Sequence, residues 1–147
     1  MSLRDWLAEN RLKRHRPTRR EIDSLLRLTV RDLESCRAKG LAADWRLGIA
    51  YNAALQAATA ALNASGFRAH GASHHYTTIQ SLTYTIGVKP DVLELLHDFR
   101  RKRNVVAYRL AGTTTDAEAE QMILLAERLR KEVLAWLREK HPRLLQK

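Results

Sequence analysis

The sequence has a single cysteine, Cys36, among its 147 residues. One cysteine cannot form an intrachain disulfide, so the natural compartment is reducing and we expect the cytoplasm. No apolar run reaches the roughly 18 residues that a transmembrane helix needs, so we expect no membrane partner. The first residues also lack the apolar core of a signal peptide, and Asp5 and Glu9 disfavour a transit peptide.

Several signatures of nucleotide and metal sites are absent. The chain has no Gly-rich phosphate loop, no zinc-finger spacing and no nucleotidyltransferase carboxylate motif. Three histidines lie in one short segment, His70, His74 and His75. The glycines and the serine around them predict a loop, and no cysteine or carboxylate completes a metal shell. We therefore predict neither a metal nor a cofactor, and we expect these histidines to border a cleft, where they could donate to phosphate when protonated.

Positive charge is in excess. Lysine and arginine number 26 against 16 acidic residues, which gives a net charge of +10. Such a balance favours an anionic partner, RNA before DNA or an acidic protein. The length fits one domain, and 45% hydrophobic residues indicate a globular one. We divide the chain into a basic N-terminal lead-in at 1–17 and a helical domain at 18–147. We expect the lead-in to be a frayed terminus, with a docking arm or a nucleic-acid arm as alternatives.

Apolar periodicity predicts an all-α, up-and-down bundle of four to five main helices. We expect these helices at about 18–39, 42–63, 90–112 and 116–140, with a short one at 78–86 that ends at Gly87. Thr18 with Glu21, and Thr115 with Glu118, have the spacing of capping boxes. The second helix is rich in alanine, so neighbouring helices can approach it closely. This composition favours a central place in the bundle, with a dimer contact as an alternative.

One predicted helix carries a run of cations and polar residues: Arg100, Arg101, Lys102, Arg103, Asn104, Tyr108 and Arg109. Helical spacing puts Arg101, Asn104 and Tyr108 on one stripe at the margin of the apolar face. Adjacent positive charges repel one another, so carboxylates or an anion such as phosphate must compensate them. A solvated basic face explains the charges alone, whereas the amide and the phenol favour a binding cleft.

The segment Arg103-Asn104-Val105-Val106-Ala107-Tyr108 resembles the motif of HEPN domains, which pair an arginine and a polar residue with a nearby histidine. The resemblance extends to Ala50-Tyr51-Asn52-Ala53-Ala54-Leu55 and to the C-terminal helix. It implies a small helical homodimer with the motif at the interface. It also implies a metal-independent ribonuclease of toxin–antitoxin type, or a partner of a minimal nucleotidyltransferase. Tyr108 stands where the family has its histidine.

The resemblance implies catalytic roles for three residues. Arg103 would stabilise the phosphate, Asn104 would orient it, and Tyr108 would replace the histidine in proton transfer. The same resemblance and the charge run imply RNA contacts for Arg100, Arg101, Lys102, Arg109, Tyr51 and Asn52. A tyrosine with a pKa of about 10 is a poor base at neutral pH unless nearby arginines lower that value. We therefore expect weakened or lost cleavage. A non-catalytic subunit that pairs with a nucleotidyltransferase is the alternative, and His97 is a candidate to replace the missing imidazole.

Overall fold

The computed structural model describes the backbone of residues 1–108 and 113–145, and the side chains of 1–104 and 113–145. Helix accounts for 72% of the structure and strand for 4%, which confirms the predicted all-α bundle. The elements are α1 (Leu3–Ala8), β1 (Leu12–Arg14), α2 (Arg19–Ser35), α3 (Ala43–Ala64), β2 (Phe67–Ala69), α4 (His74–Gln80), α5 (Pro90–Tyr108) and α6 (Asp116–Lys140). Two 3-10 turns, Ser81–Thr83 and Pro142–Leu144, follow α4 and α6. No helix in the described residues is long and apolar enough to cross a membrane.

The central helix is α3, as its alanine content predicts. Its buried alanines leave room for α2 and α6 to pack closely on two sides. Ile22, early in α2, packs with Ala57 and Ala61, late in α3, so these two helices run antiparallel. Val133, late in α6, joins the same cluster, so α6 runs parallel to α3. The core therefore extends along the full length of α3.

The two expected capping boxes form to different extents. At the start of α6 the box is reciprocal, because Thr115 Oγ1 accepts from Glu118 N at 3.1 Å and Glu118 Oε1 accepts from Thr115 N at 3.0 Å. At the start of α2, Thr18 Oγ1 accepts from Glu21 N at 3.1 Å. The Glu21 carboxylate turns instead to His15 Nε2, at 2.6 Å, and to Asn63 Nδ2 on α3, at 3.1 Å. That carboxylate therefore ties α2 to α3 rather than closing the box.

The N-terminal segment is folded, which differs from the frayed terminus that we expected. Trp6 on α1 and Leu12 on β1 are 3% and 2% exposed, and they pack with Leu62 and Phe67. β1 pairs antiparallel with β2, so the segment predicted as a loop at 66–77 contains a strand and the first turn of α4. The short helix expected at 78–86 instead spans His74–Gln80. The folded N-terminal segment and the strand β2 follow from pairing between distant parts of the chain, which local patterns do not record.

Candidate functional site

An open pocket of about 530 Å³ lies between the segment that begins α4 and the second half of α5. Its walls are Gly71, Ala72, Ser73, His74, His75, Tyr76, Arg100 and Asn104. Two residues of the basic run, Arg100 and Asn104, therefore face the histidine segment across one opening. The sequence placed these two groups on separate elements, and the fold brings them together.

A buried tyrosine from α3 joins this pocket to the basic helix. Tyr51 is fully buried, and the Arg103 guanidinium lies 5.5 Å from its ring centroid. Arg103 Nη2 also donates to Asn52 Oδ1 at 3.5 Å. Burial raises the pKa of Tyr51 to about 12, against the opposing effect of Arg100 and Arg103. Tyr51 thus stays protonated at neutral pH, and Arg103 links it to Asn52.

His75 contacts the same tyrosine from the other side. Its Nδ1 atom lies 3.5 Å from the Tyr51 hydroxyl, and the two ring centroids are 6.0 Å apart. Burial lowers the pKa of His75, and Arg103, Arg100 and His74 lower it further. The imidazole is therefore neutral near pH 7. Within the described residues no group of three or more histidine, cysteine, aspartate or glutamate side chains could hold a metal ion.

Arg100 is held by neutral side chains. Its Nε donates to His97 Nδ1 at 3.3 Å, and its guanidinium lies 5.5 Å from the Tyr76 ring centroid. His97 Nε2 lies 2.9 Å from Gln80 Oε1 on α4, and the Tyr76 ring stacks on the imidazole at 4.7 Å. Burial lowers the pKa of His97, and Arg100 and Arg101 lower it further, against Asp98. His97 is 7% exposed with both nitrogens engaged, so it positions Arg100 and does not face the pocket.

Two other cations of the run, Arg101 and Lys102, have acidic partners. Arg101 pairs with Asp98 one turn earlier on α5, and Lys102 Nζ lies 2.9 Å from Glu118 Oε2 on α6. The bond from Lys102 lowers the pKa of Glu118. Neither cation lines the pocket. Arg109 and the side chain of Tyr108 lie outside the described residues, so their expected roles stay predictions.

The pocket walls carry side chains that can bind the phosphates of a nucleic acid and a ring that can stack on its unpaired bases. Guanidinium and amide groups hydrogen bond to phosphate oxygens. Tyr76 is 39% exposed at the pocket wall, and aromatic rings stack on unpaired bases.

Comparisons of this chain with protein-family models, curated proteins and solved structures find no match.

Proposed function

We propose that this protein is an HEPN-like RNA-binding protein that holds the RNA backbone at the pocket between α4 and α5, and that it cleaves RNA without a metal ion. The observation that carries the proposal is a division within the basic run. Arg101 and Lys102 are neutralised by carboxylates, whereas Arg100 and Arg103 have no carboxylate partner among the described side chains. Arg100 lines the pocket, and Arg103 lies against Tyr51 and Asn52 of α3.

The side chains that contact Arg100 and Arg103 are uncharged. His97, Tyr76, Asn52 and Tyr51 hold the two guanidinium groups in place without cancelling their charge. Two adjacent, partly buried cations repel each other, and a bound anion relieves that repulsion. A phosphate accepts two parallel hydrogen bonds from a guanidinium group, which makes it a suitable anion. A site for an external phosphate requires guanidinium groups that are held in place but keep their positive charge available.

The pocket favours RNA over an isolated phosphate ion. It is open along one side and carries an exposed aromatic ring beside the arginines, so a base can stack while its phosphate is bound. A protein of net charge +10 also attracts a polyanion at long range. The resemblance of Arg103 and Asn104 to the HEPN motif supports the same substrate class.

Binding of a labelled, mixed-sequence single-stranded RNA tests the first half of the proposal. We expect Arg100→Ala to weaken binding about 10-fold or more, because a hydrogen bond to a charged group contributes about 1.5–3 kcal/mol. It should also reduce the slope of affinity against salt by about one. Arg101→Ala removes the same charge one residue later, but from a group already paired with Asp98, so we expect a smaller effect.

Arg128→Ala is the matched control, because Arg128 on α6 pairs with Glu132 at 2.9 Å and lies outside the pocket. It should change affinity less than about 3-fold, as expected for one distant screened charge. Equal losses for Arg100→Ala and Arg128→Ala would show non-specific attraction to a basic protein. That result would exclude the pocket as the RNA site.

Cleavage is tested with the same RNA in the presence of a chelator. Loss of cleavage in Arg103→Ala, with cleavage by the unmodified protein, would support a metal-independent ribonuclease. If neither protein cleaves the RNA, the activity is absent and binding alone remains.

The resemblance further supports a cytoplasmic homodimer of toxin–antitoxin type, with a nucleotidyltransferase as an alternative partner. Sedimentation of the purified protein tests the dimer, and a monomer at all concentrations would exclude it.

A further inference from the structure

We propose that His75 is the proton-transfer group of this site and supplies the imidazole that the motif lacks at Tyr108. The proposal rests on the proposed function, since it assigns a residue to RNA cleavage at the same pocket. His75 belongs to α4, whereas Tyr108 belongs to α5, so the imidazole would come from a different element than in the motif.

The geometry separates His75 from the other candidate. His97 is buried, and its two nitrogens are engaged by Gln80 and Arg100. His75 lines the pocket and engages one nitrogen, Nδ1, with the Tyr51 hydroxyl. Its Nε2 has no hydrogen-bond partner among the side chains that the structure describes. This nitrogen is therefore available to a ligand.

The buried Tyr51 side chain orients the imidazole ring of His75. Tyr51 is fully buried in the α3 core, so its hydroxyl is a fixed point against which the imidazole is held. The buried phenol keeps its proton at neutral pH, and its oxygen accepts a hydrogen bond from His75 Nδ1–H in the tautomer that leaves the lone pair on Nε2. An oriented imidazole with one free nitrogen is the arrangement that general acid–base catalysis uses.

The charges around His75 favour its neutral form. Arg100 and Arg103 face it from α5, His74 adjoins it on α4, and Tyr51 faces it from α3. Burial and the three cationic or titratable neighbours lower the pKa of His75 below its ordinary value of 6.5. A neutral imidazole is the form that accepts a proton from a hydroxyl group.

The reaction then balances without a metal ion. His75 accepts the proton of a ribose 2′-hydroxyl, and the 2′-oxygen bonds to the adjacent phosphorus. The bond between phosphorus and the 5′-oxygen breaks, which leaves a 2′,3′-cyclic phosphate and a free 5′-oxygen. That oxygen takes a proton from water, and His75 releases its proton to solvent. Arg100 and Asn104, across the pocket, stabilise the negative charge of the pentacoordinate phosphorus.

The test compares His75→Asn with His70→Asn, a histidine of the same segment that does not line the pocket. RNA binding and chelator-resistant cleavage are measured from about pH 5 to about pH 9. We expect His75→Asn to retain binding and to lose cleavage by about 100-fold or more, the usual contribution of general acid–base catalysis. His70→Asn should retain both. Unmodified protein should lose cleavage on acidification below about pH 6.5, and the variant should lack this limb.

Two further measurements guard against a structural explanation. Added imidazole should partly restore cleavage by His75→Ala, which a variant that merely distorts the pocket would not show. The cleaved RNA should carry a 2′,3′-cyclic phosphate. If unmodified protein cleaves and His75→Asn cleaves equally with the same acid limb, the role of His75 is wrong while the proposed function stands. If the unmodified protein binds RNA but does not cleave it, both the role of His75 and the proposed activity are wrong. If the unmodified protein does not bind RNA at all, the proposed function is wrong.

Discussion

The bonds of His97 specify one protonation state. The Gln80 carboxamide oxygen only accepts, so His97 Nε2 must carry a hydrogen at their 2.9 Å separation. Arg100 Nε only donates, so His97 Nδ1 must present a lone pair at 3.3 Å. Only the neutral tautomer with its proton on Nε2 satisfies both bonds. A second proton would place an N–H group against the Arg100 N–H group and break the link between α4 and Arg100.

This requirement predicts that acid destabilises the fold through His97. Its pKa in the folded protein is lowered, so below its ordinary value of 6.5 the unfolded chain binds the proton more readily. The free energy of unfolding contributed by neutral His97 is therefore present above pH 6.5 and is lost as the pH falls toward the lowered pKa. We expect the melting temperature of the unmodified protein to fall between about pH 7 and about pH 5.

The matched variant is His97→Gln, measured by thermal unfolding at both pH values. It should be less stable than the unmodified protein at neutral pH, and its melting temperature should change less on acidification. Lowered pKa values at His75 and His141 leave part of the acid dependence in the variant. An identical change in both proteins would show that His97 does not titrate in this range.

The residues of the site differ in how far the sequence could predict them. The run from Arg100 to Asn104 could be found because its members are adjacent and share a helix. Which cations of the run are neutralised could be predicted only in part. Asp98 lies one turn from Arg101 on the same helix, whereas Glu118 on α6 is brought to Lys102 by folding. His75 had no signal beyond its histidine neighbours, because its partner Tyr51 is on another helix.

At the scale of elements, the ribbon of β1 and β2 contains an unfavourable pair. Lys13 and Arg68 are opposite each other in the antiparallel register, and both are exposed. Neither pairs with a carboxylate among the described residues. Side chains opposite each other on one face of a ribbon are close, and like charges there destabilise the pairing.

We expect Lys13→Glu to stabilise the protein by about 0.5 kcal/mol, because an opposite-charge pair across two strands contributes about 0.2–1 kcal/mol. Lys13→Gln separates the two effects, since it removes the repulsion without adding an attraction, and its stability should be intermediate. Urea unfolding of the three proteins measures the difference. A Lys13→Glu protein less stable than the unmodified one would mean that the two side chains do not interact across the ribbon.

The helices were more predictable than this ribbon. Periodic apolar residues and capping signals located α2, α3 and α6 within a few residues. The predicted end of the first long helix, at about 39, is wrong, because α2 ends at Ser35 and Gly40, at φ +78°, lies in the turn beyond it. Strands of three residues are too short to show alternation. Their stability comes from contacts between Trp6 and Leu12 and the residues Leu62 and Phe67, which lie 50 or more positions later in the chain.

At the scale of the whole molecule, two electrostatic effects have different ranges. The net charge of +10 repels itself over distances comparable to the size of the domain. The close ion pairs, such as Lys102 with Glu118 at 2.9 Å and Arg46 with Asp116 at 2.8 Å, act over a few ångströms. The screening length falls from about 30 Å at about 0.01 M salt to about 10 Å at about 0.1 M. Added salt in this range therefore weakens the long-range repulsion more than the close attractions.

Salt should consequently have opposite effects on folding and on RNA binding. The melting temperature of the free protein should rise between about 0.01 M and about 0.1 M sodium chloride, because the net repulsion is screened. Affinity for RNA should fall over the same range, because the counterions that each phosphate contact releases gain less entropy when the bulk salt is more concentrated. Thermal unfolding and RNA titration on one salt series measure both trends. A melting temperature that falls with salt would mean that the surface ion pairs outweigh the excess charge, and an RNA affinity that does not respond to salt would contradict phosphate binding by Arg100.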